Sequence, residues 1–175
     1  MTENLRMSHS LVMALFQDAS SAAAAARELR ALGIPREGVS IVARTHDEEG
    51  ALAQASGGSP GSELEDSRPA SRLGELAAHL VAAVAVVIPG VGPIVADGPL
   101  AAALGEAAGH VAGDISRALE HAGLEPAEAS RWEQRIEGGA FLVGAHIESS
   151  TIDAGRDVLI RNNGSPVAVG AWSDS

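Results

Sequence analysis

Glu106, His110 and Asp114 recur every fourth residue, and Glu75 with His79 repeats the acid-to-imidazole spacing about thirty residues earlier in the chain, roughly one helical hairpin away. Residues spaced i, i+4 and i+8 share one helical face, so carboxylates and imidazoles would stack in a column. On facing antiparallel helices the two columns could meet, and such a donor set suits a divalent metal, although the better-known bundle motif spaces its ligands i, i+3. Glu75, His79, Glu106, His110 and Asp114 are therefore the candidate metal ligands. A solvated polar stripe, continued by Arg117 and His121, explains the same spacing more simply.

Other chemistry-bearing patterns are weaker still. Gly57, Ser59 and Gly61 match G-x-S-x-G, but Pro60 and a low-complexity segment replace the strand and helix that would strain a nucleophilic serine. Gly90 and Gly92 lack the third glycine, the lysine and the preceding strand of a phosphate loop, and read as a turn. His146 sits in an apolar strand, where a hydrogen-bonded core histidine is a simpler reading than heme ligation or general-base catalysis.

Composition narrows the field further. All twelve basic residues are arginine, and lysine, cysteine and tyrosine are absent. That removes Schiff-base chemistry, the P-loop lysine, thiol nucleophiles, cysteine-ligated metals and tyrosine acid catalysis. A formal charge of -11 repels phosphate backbones, so no nucleic-acid partner is expected. No catalytic residue and no cofactor are expected either, and the absence of cysteine fits a cytoplasmic protein.

The elements that must position these residues follow from periodicity. Leu11 to Phe16 reads as a strand, Asp18, Ser20 and Ser21 as capping residues, and AAAAARELRALG as a helix stopped by Gly33. Val39 to Ala43 supplies a second strand. The same grammar returns in strand Phe141 to Ile147, a helix through Arg161, a stop at Gly164 and a strand from Pro166 to Trp172. Two split β-α-β units joined in one four-stranded sheet would make an α+β, ferredoxin-like domain covering residues 1–175, with a further helix over Pro126 to Glu137.

Between the halves, residues 45–70 mix Gly, Ser, Pro and acids and read as a flexible acidic loop. Residues 71–122 read as an inserted Ala- and Gly-rich helical hairpin, Ser71 to Ile88 and Pro99 to Ala122, broken at Pro89, Gly90, Gly92 and Pro93. Its expected seam, and the expected interface, comprises Leu76, Leu80, Val84, Leu104, Val111 and Ile115. Because Leu11, Met13 and Leu15 alternate with equally apolar Val12, Ala14 and Phe16, both faces of the sheet need a cover. The crossover helices supply one, leaving the hairpin or a second subunit to supply the other.

Three segments, VMALFQDASSAAAAARELRALGIPREGVSIVAR, IPGVGPIVADGPLAAALG and GLEPAEASRWEQRIEGGAFLVGAH, resemble the bacterial general-stress, heat-induced protein domain of the YflT-like type, over roughly residues 11 to 147. The resemblance implies a small stress-associated protein and transfers no catalytic residue. The expectation is thus a non-enzymatic cytoplasmic protein, a homo-oligomer acting through self-association or partner contacts. A small-ligand-binding regulatory module is the alternative, and a membrane-surface protein the second. Leu80 to Ile88 gives only about 13 Å of helix before Pro89, against a hydrocarbon core of about 30 Å, so a membrane span is not expected.

Overall fold

The computed structural model describes residues 9–44, 84–88, 92–100 and 115–172. Strand β1 (His9–Phe16) leads into helix α1 (Ala19–Ala31), a short 3-10 turn (Arg36–Gly38) and β2 (Val39–Arg44). Strands β3 (Val84–Ile88) and β4 (Gly92–Asp97) form the next pair. Helices α2 (Ile115–His121) and α3 (Pro126–Glu137) precede β5 (Phe141–Glu148), a second 3-10 turn (Ser149–Thr151), α4 (Ile152–Arg161) and β6 (Val167–Ala171). The fold is α+β.

The strands form one sheet in the order β3-β4-β2-β5-β1-β6, with every neighbouring pair antiparallel. β5 lies between β1 and β2, and β1 lies between β5 and β6. Each β-α-β unit is therefore split by a strand of the other, so the two halves of the chain cannot form their sheet independently.

Alternation along β1 sorts the core into two layers. Val12, Ala14 and Phe16 pack with Ala22, Ala26 and Leu29 of α1 and Val158 and Leu159 of α4. Leu11, Met13 and Leu15 pack with Ile115 and Leu119 of α2 and Ala129, Trp132 and Ile136 of α3. Residues Leu11 to Phe16 have no exposed surface. Burial of each large aliphatic or aromatic side chain contributes about 1.5–3 kcal/mol, which makes this strand the stability centre.

Local chemistry fixes the helix ends. Asp18 accepts from the Ser21 amide at 2.8 Å and from its hydroxyl at 3.0 Å, which satisfies an orphan donor in the first turn of α1. Glu133 of α3 accepts from the Ile115 amide at 3.2 Å, so α2 is capped by its neighbour. Arg44 donates to the Glu137 carbonyl, at 2.6 Å, placing a cation at the C-terminal end of α3 and tying that helix to β2. Buried Ser40 accepts from the Leu100 amide at 3.1 Å and anchors the chain leaving β4.

The expected helical hairpin is corrected at its centre. Val84–Ile88, read as the end of a helix, is strand β3, and Gly92–Asp97, read as a helix-breaking turn and linker, is strand β4. Four of the five residues in β3 are β-branched, a composition that crowds a helix and suits a pleated ladder. The apolar period of that stretch fits either element. Residues 45–70, most of the first expected helix and residues 101–114 of the second lie outside the described residues. The second sheet face is covered by α2, which falls within the second expected hairpin helix, and by α3 of the same chain.

Two glycines make a contrasting pair. A Cβ on Gly170 of β6 would come to 1.6 Å from the Ala122 carbonyl, whereas one on Gly33 would meet nothing within 4 Å but would have to tolerate φ of +92°. Gly170→Ala should cost about 1–3 kcal/mol or more through displacement of the Ala122–Gly123 turn. Gly33→Ala should cost about 1 kcal/mol through backbone strain alone. Urea denaturation of both variants ranks them, and Gly33→Ala proving the more damaging would contradict this packing.

Arg161 at the end of α4 pairs with Glu28 of α1, its Nε donating at 2.7 Å. The hydrogen bond from Arg161, followed by that from Asn162, holds the Glu28 carboxyl below its ordinary value of 4.5. A depressed carboxylate pKa adds stability that is fully present above the unfolded value and fades as pH falls through the folded one. The stability gap between wild type and Glu28→Gln should therefore be visible at neutral pH, shrink with added salt, and close only in acid, as pH falls through the depressed folded-state value. Urea midpoints measured across that range check the sign.

Candidate ligand cavity at the end of the central strands

A difference in register creates the site. β5 pairs with β1 along its whole length, ending at His9↔Glu148, but its pairing with β2 stops at Val39↔Ala145. His146, Ile147 and Glu148 thus run past the start of β2, and the α1–β2 connection passes beside them. The connection contains Gly33, Pro35 and the 3-10 turn, so it cannot continue as a strand and complete the ladder. A cavity of about 380 Å³ remains between the two.

One part of its wall is aliphatic: Leu32, Ile34, Pro35 and Ile147. The polar part comprises His9, His146, Glu148 and Thr151. His9 and Glu148 meet there because they are directly opposed in the β1–β5 register. The Thr151 hydroxyl donates to the Glu148 carbonyl at 2.9 Å, which fixes the turn that carries both residues into α4. Gly38 passes close to β5, where a Cβ would stand 3.3 Å from Ile34 Cγ2 and 3.6 Å from the His146 carbonyl oxygen.

His146 connects the cavity to the far edge of the sheet. Its ring meets Trp172 edge-on at a centroid distance of 4.8 Å, and Trp172 in turn meets His121 of α2 at 5.0 Å and a near-perpendicular 89°. Trp172 reaches this position because its amide donates to the His9 carbonyl, extending the β1–β6 ladder past Ala171. The imidazole–indole–imidazole row thus joins β5, the end of β6 and α2. Chemically, the cavity offers hydrogen-bond acceptors, one carboxylate and an apolar wall.

His146 was expected as a bland core histidine; the structure leaves it half-buried at the cavity wall. The candidate ligands Glu75, His79, Glu106, His110 and Asp114 lie outside the described residues, as do Gly57, Ser59 and Gly61. Among the described residues, no group of three or more His, Cys, Asp or Glu side chains could hold a metal ion. Of the expected interface, Leu76, Leu80, Leu104 and Val111 also lie outside, and Val84 belongs to β3. Ile115, also placed on that seam, opens α2 and is buried in this chain's own core.

Sequence reading missed His9, Trp172 and Thr151. The signal was present: with Leu11 opposite His146, antiparallel counting sets His9 against Glu148. The strand expected from Leu11 to Phe16 simply began two residues too late to use it. No family model, curated protein or solved structure matches this chain.

The ring row yields an energetic expectation. Double-mutant cycles for the His146–Trp172 and His121–Trp172 pairs should each give a coupling of about 0.5–1.5 kcal/mol in urea denaturation. A coupling near zero in both would mean that these rings merely lie close together.

Proposed function

We propose that this protein is a non-catalytic, small-ligand-binding module, the regulatory component of a cytoplasmic, stress-associated protein of the kind its sequence resembles. The scaffold under this reading is the ferredoxin-like double split β-α-β arrangement, extended at the β2 edge by the β3–β4 hairpin. One observation supports the reading above the others: an amphipathic cavity of about 380 Å³ between the overhanging end of β5 and the α1–β2 connection. That volume falls within the range of about 300–1,000 Å³ typical of small-molecule sites, and its few polar groups beside an aliphatic wall match their usual composition.

Self-association has less behind it. The expectation rested on a sheet apolar on both faces beside an Ala- and Gly-rich hairpin, and both faces of β1 and β5 are covered by helices of the same chain. A membrane-surface role gains no support from a spanning segment, since among the described residues no helix is long and apolar enough to cross a bilayer.

The test is ligand-dependent melting of the full chain with a panel of small amphipathic molecules. Leu32 lines the cavity yet is 42% exposed, so Leu32→Trp can occupy the space with little cost to the core. Compounds that raise the wild-type melting temperature should leave this variant nearly unmoved, because a ligand held only by the folded cavity stabilises by mass action. Equal shifts in both proteins would place binding elsewhere and reject the reading.

A further inference from the structure

Resting on the ligand-module reading, we propose that the cavity selects an organic monocation, an ammonium group carried on an aliphatic or aromatic body. Charge sets the class of ligand. Among the described residues lining the cavity, Glu148 supplies a carboxylate and none is arginine, while the chain has no lysine and a formal charge of -11. An anionic ligand would enter a negative field, whereas a cation is drawn in by both the local and the long-range potential.

The head group follows from hydrogen-bond chemistry. The Glu148 carboxylate can only accept, and the Thr151 hydroxyl oxygen offers further acceptor capacity while its proton is committed to the Glu148 carbonyl. An ammonium group is all donor and satisfies such a set, whereas a carboxylate or phosphate brings more acceptors. Its body follows from the opposite wall, where Leu32, Ile34, Pro35 and Ile147 present aliphatic surface that a bare inorganic cation would leave unfilled. No three carboxylate or imidazole groups converge there as metal ligands, which separates this site from a metal centre.

The experiment uses three probes with one six-carbon chain and different heads: hexylammonium, hexanol and hexanoate, titrated into the full chain by calorimetry at neutral pH. Hexylammonium should bind most tightly, by about fivefold or more over hexanol, a modest factor because Glu148 is exposed. Hexanoate should bind most weakly. Glu148→Gln should reduce hexylammonium affinity to that of hexanol and leave hexanol binding unchanged, which also reports that the variant is folded.

Hexanol or hexanoate binding as tightly as hexylammonium would overturn the cation assignment while leaving the cavity a ligand site. The cation assignment fails equally if none of the three binds but a panel compound does so in a Leu32→Trp-sensitive manner. If hexylammonium binds and Leu32→Trp does not weaken it, the cavity itself is not the site and both readings fail.

Discussion

The antiparallel pairing of β1 with β5 is the constraint on which the remaining structure depends. Eight residue pairs, from His9↔Glu148 to Phe16↔Phe141, join the first strand of one β-α-β unit to the first strand of the other. Both strands are buried on both sides, so a shift by one residue would exchange the layer facing α1 and α4 for the layer facing α2 and α3. The side chains discriminate between those layers. Small Ala14 in the layer of Phe16, and Gly144 against Leu11 and Met13 of β1, fill spaces that a slipped register would leave empty or overfilled.

The candidate site is a consequence of that same register. β5 must be long enough to match β1, whereas β2 begins only after the α1–β2 connection has crossed from the helical layer back to the sheet. Three residues of β5 consequently outrun their β2 neighbour, and their polar side chains, His146 and Glu148, fall where the core layers thin out. Polar groups in that position keep access to water or a ligand and avoid the penalty for burying them without partners. The chain thus changes from apolar to polar along a single strand, at the point where the adjacent strand ends.

Most of the first and last thirds of this architecture was legible in the sequence because their signals are local. Asp18 before an alanine-rich helix, Gly33 after it, and Pro126 at the start of α3 mark boundaries that the structure reproduces. The centre misled for an identifiable reason: a continuous run of Ala and Val has no polar residue to reveal its period, so helix and strand fit equally until tertiary pairing decides. Pairing of β4 with β2 from Ile41↔Asp97 to Arg44↔Ile94 is a long-range event with no local marker. The cavity was illegible for the same reason. His9, Leu32 and His146 are brought together only by register and by the path of a connection, neither of which a one-dimensional pattern records.

The row His121, Trp172 and His146 gives the cavity a physical link to the rest of the fold. Trp172 is the last described residue of the chain and is held by a backbone hydrogen bond to His9 of β1, by packing on the α2–α3 layer, and by its two imidazole neighbours. His146 belongs both to this cluster, through its ring, and to the residues that line the cavity. The row therefore ties the overhanging end of β5 to α2 by way of the residue after β6, through edge contacts of a kind worth about 0.5–1.5 kcal/mol each, and makes no demand on the β1–β5 core.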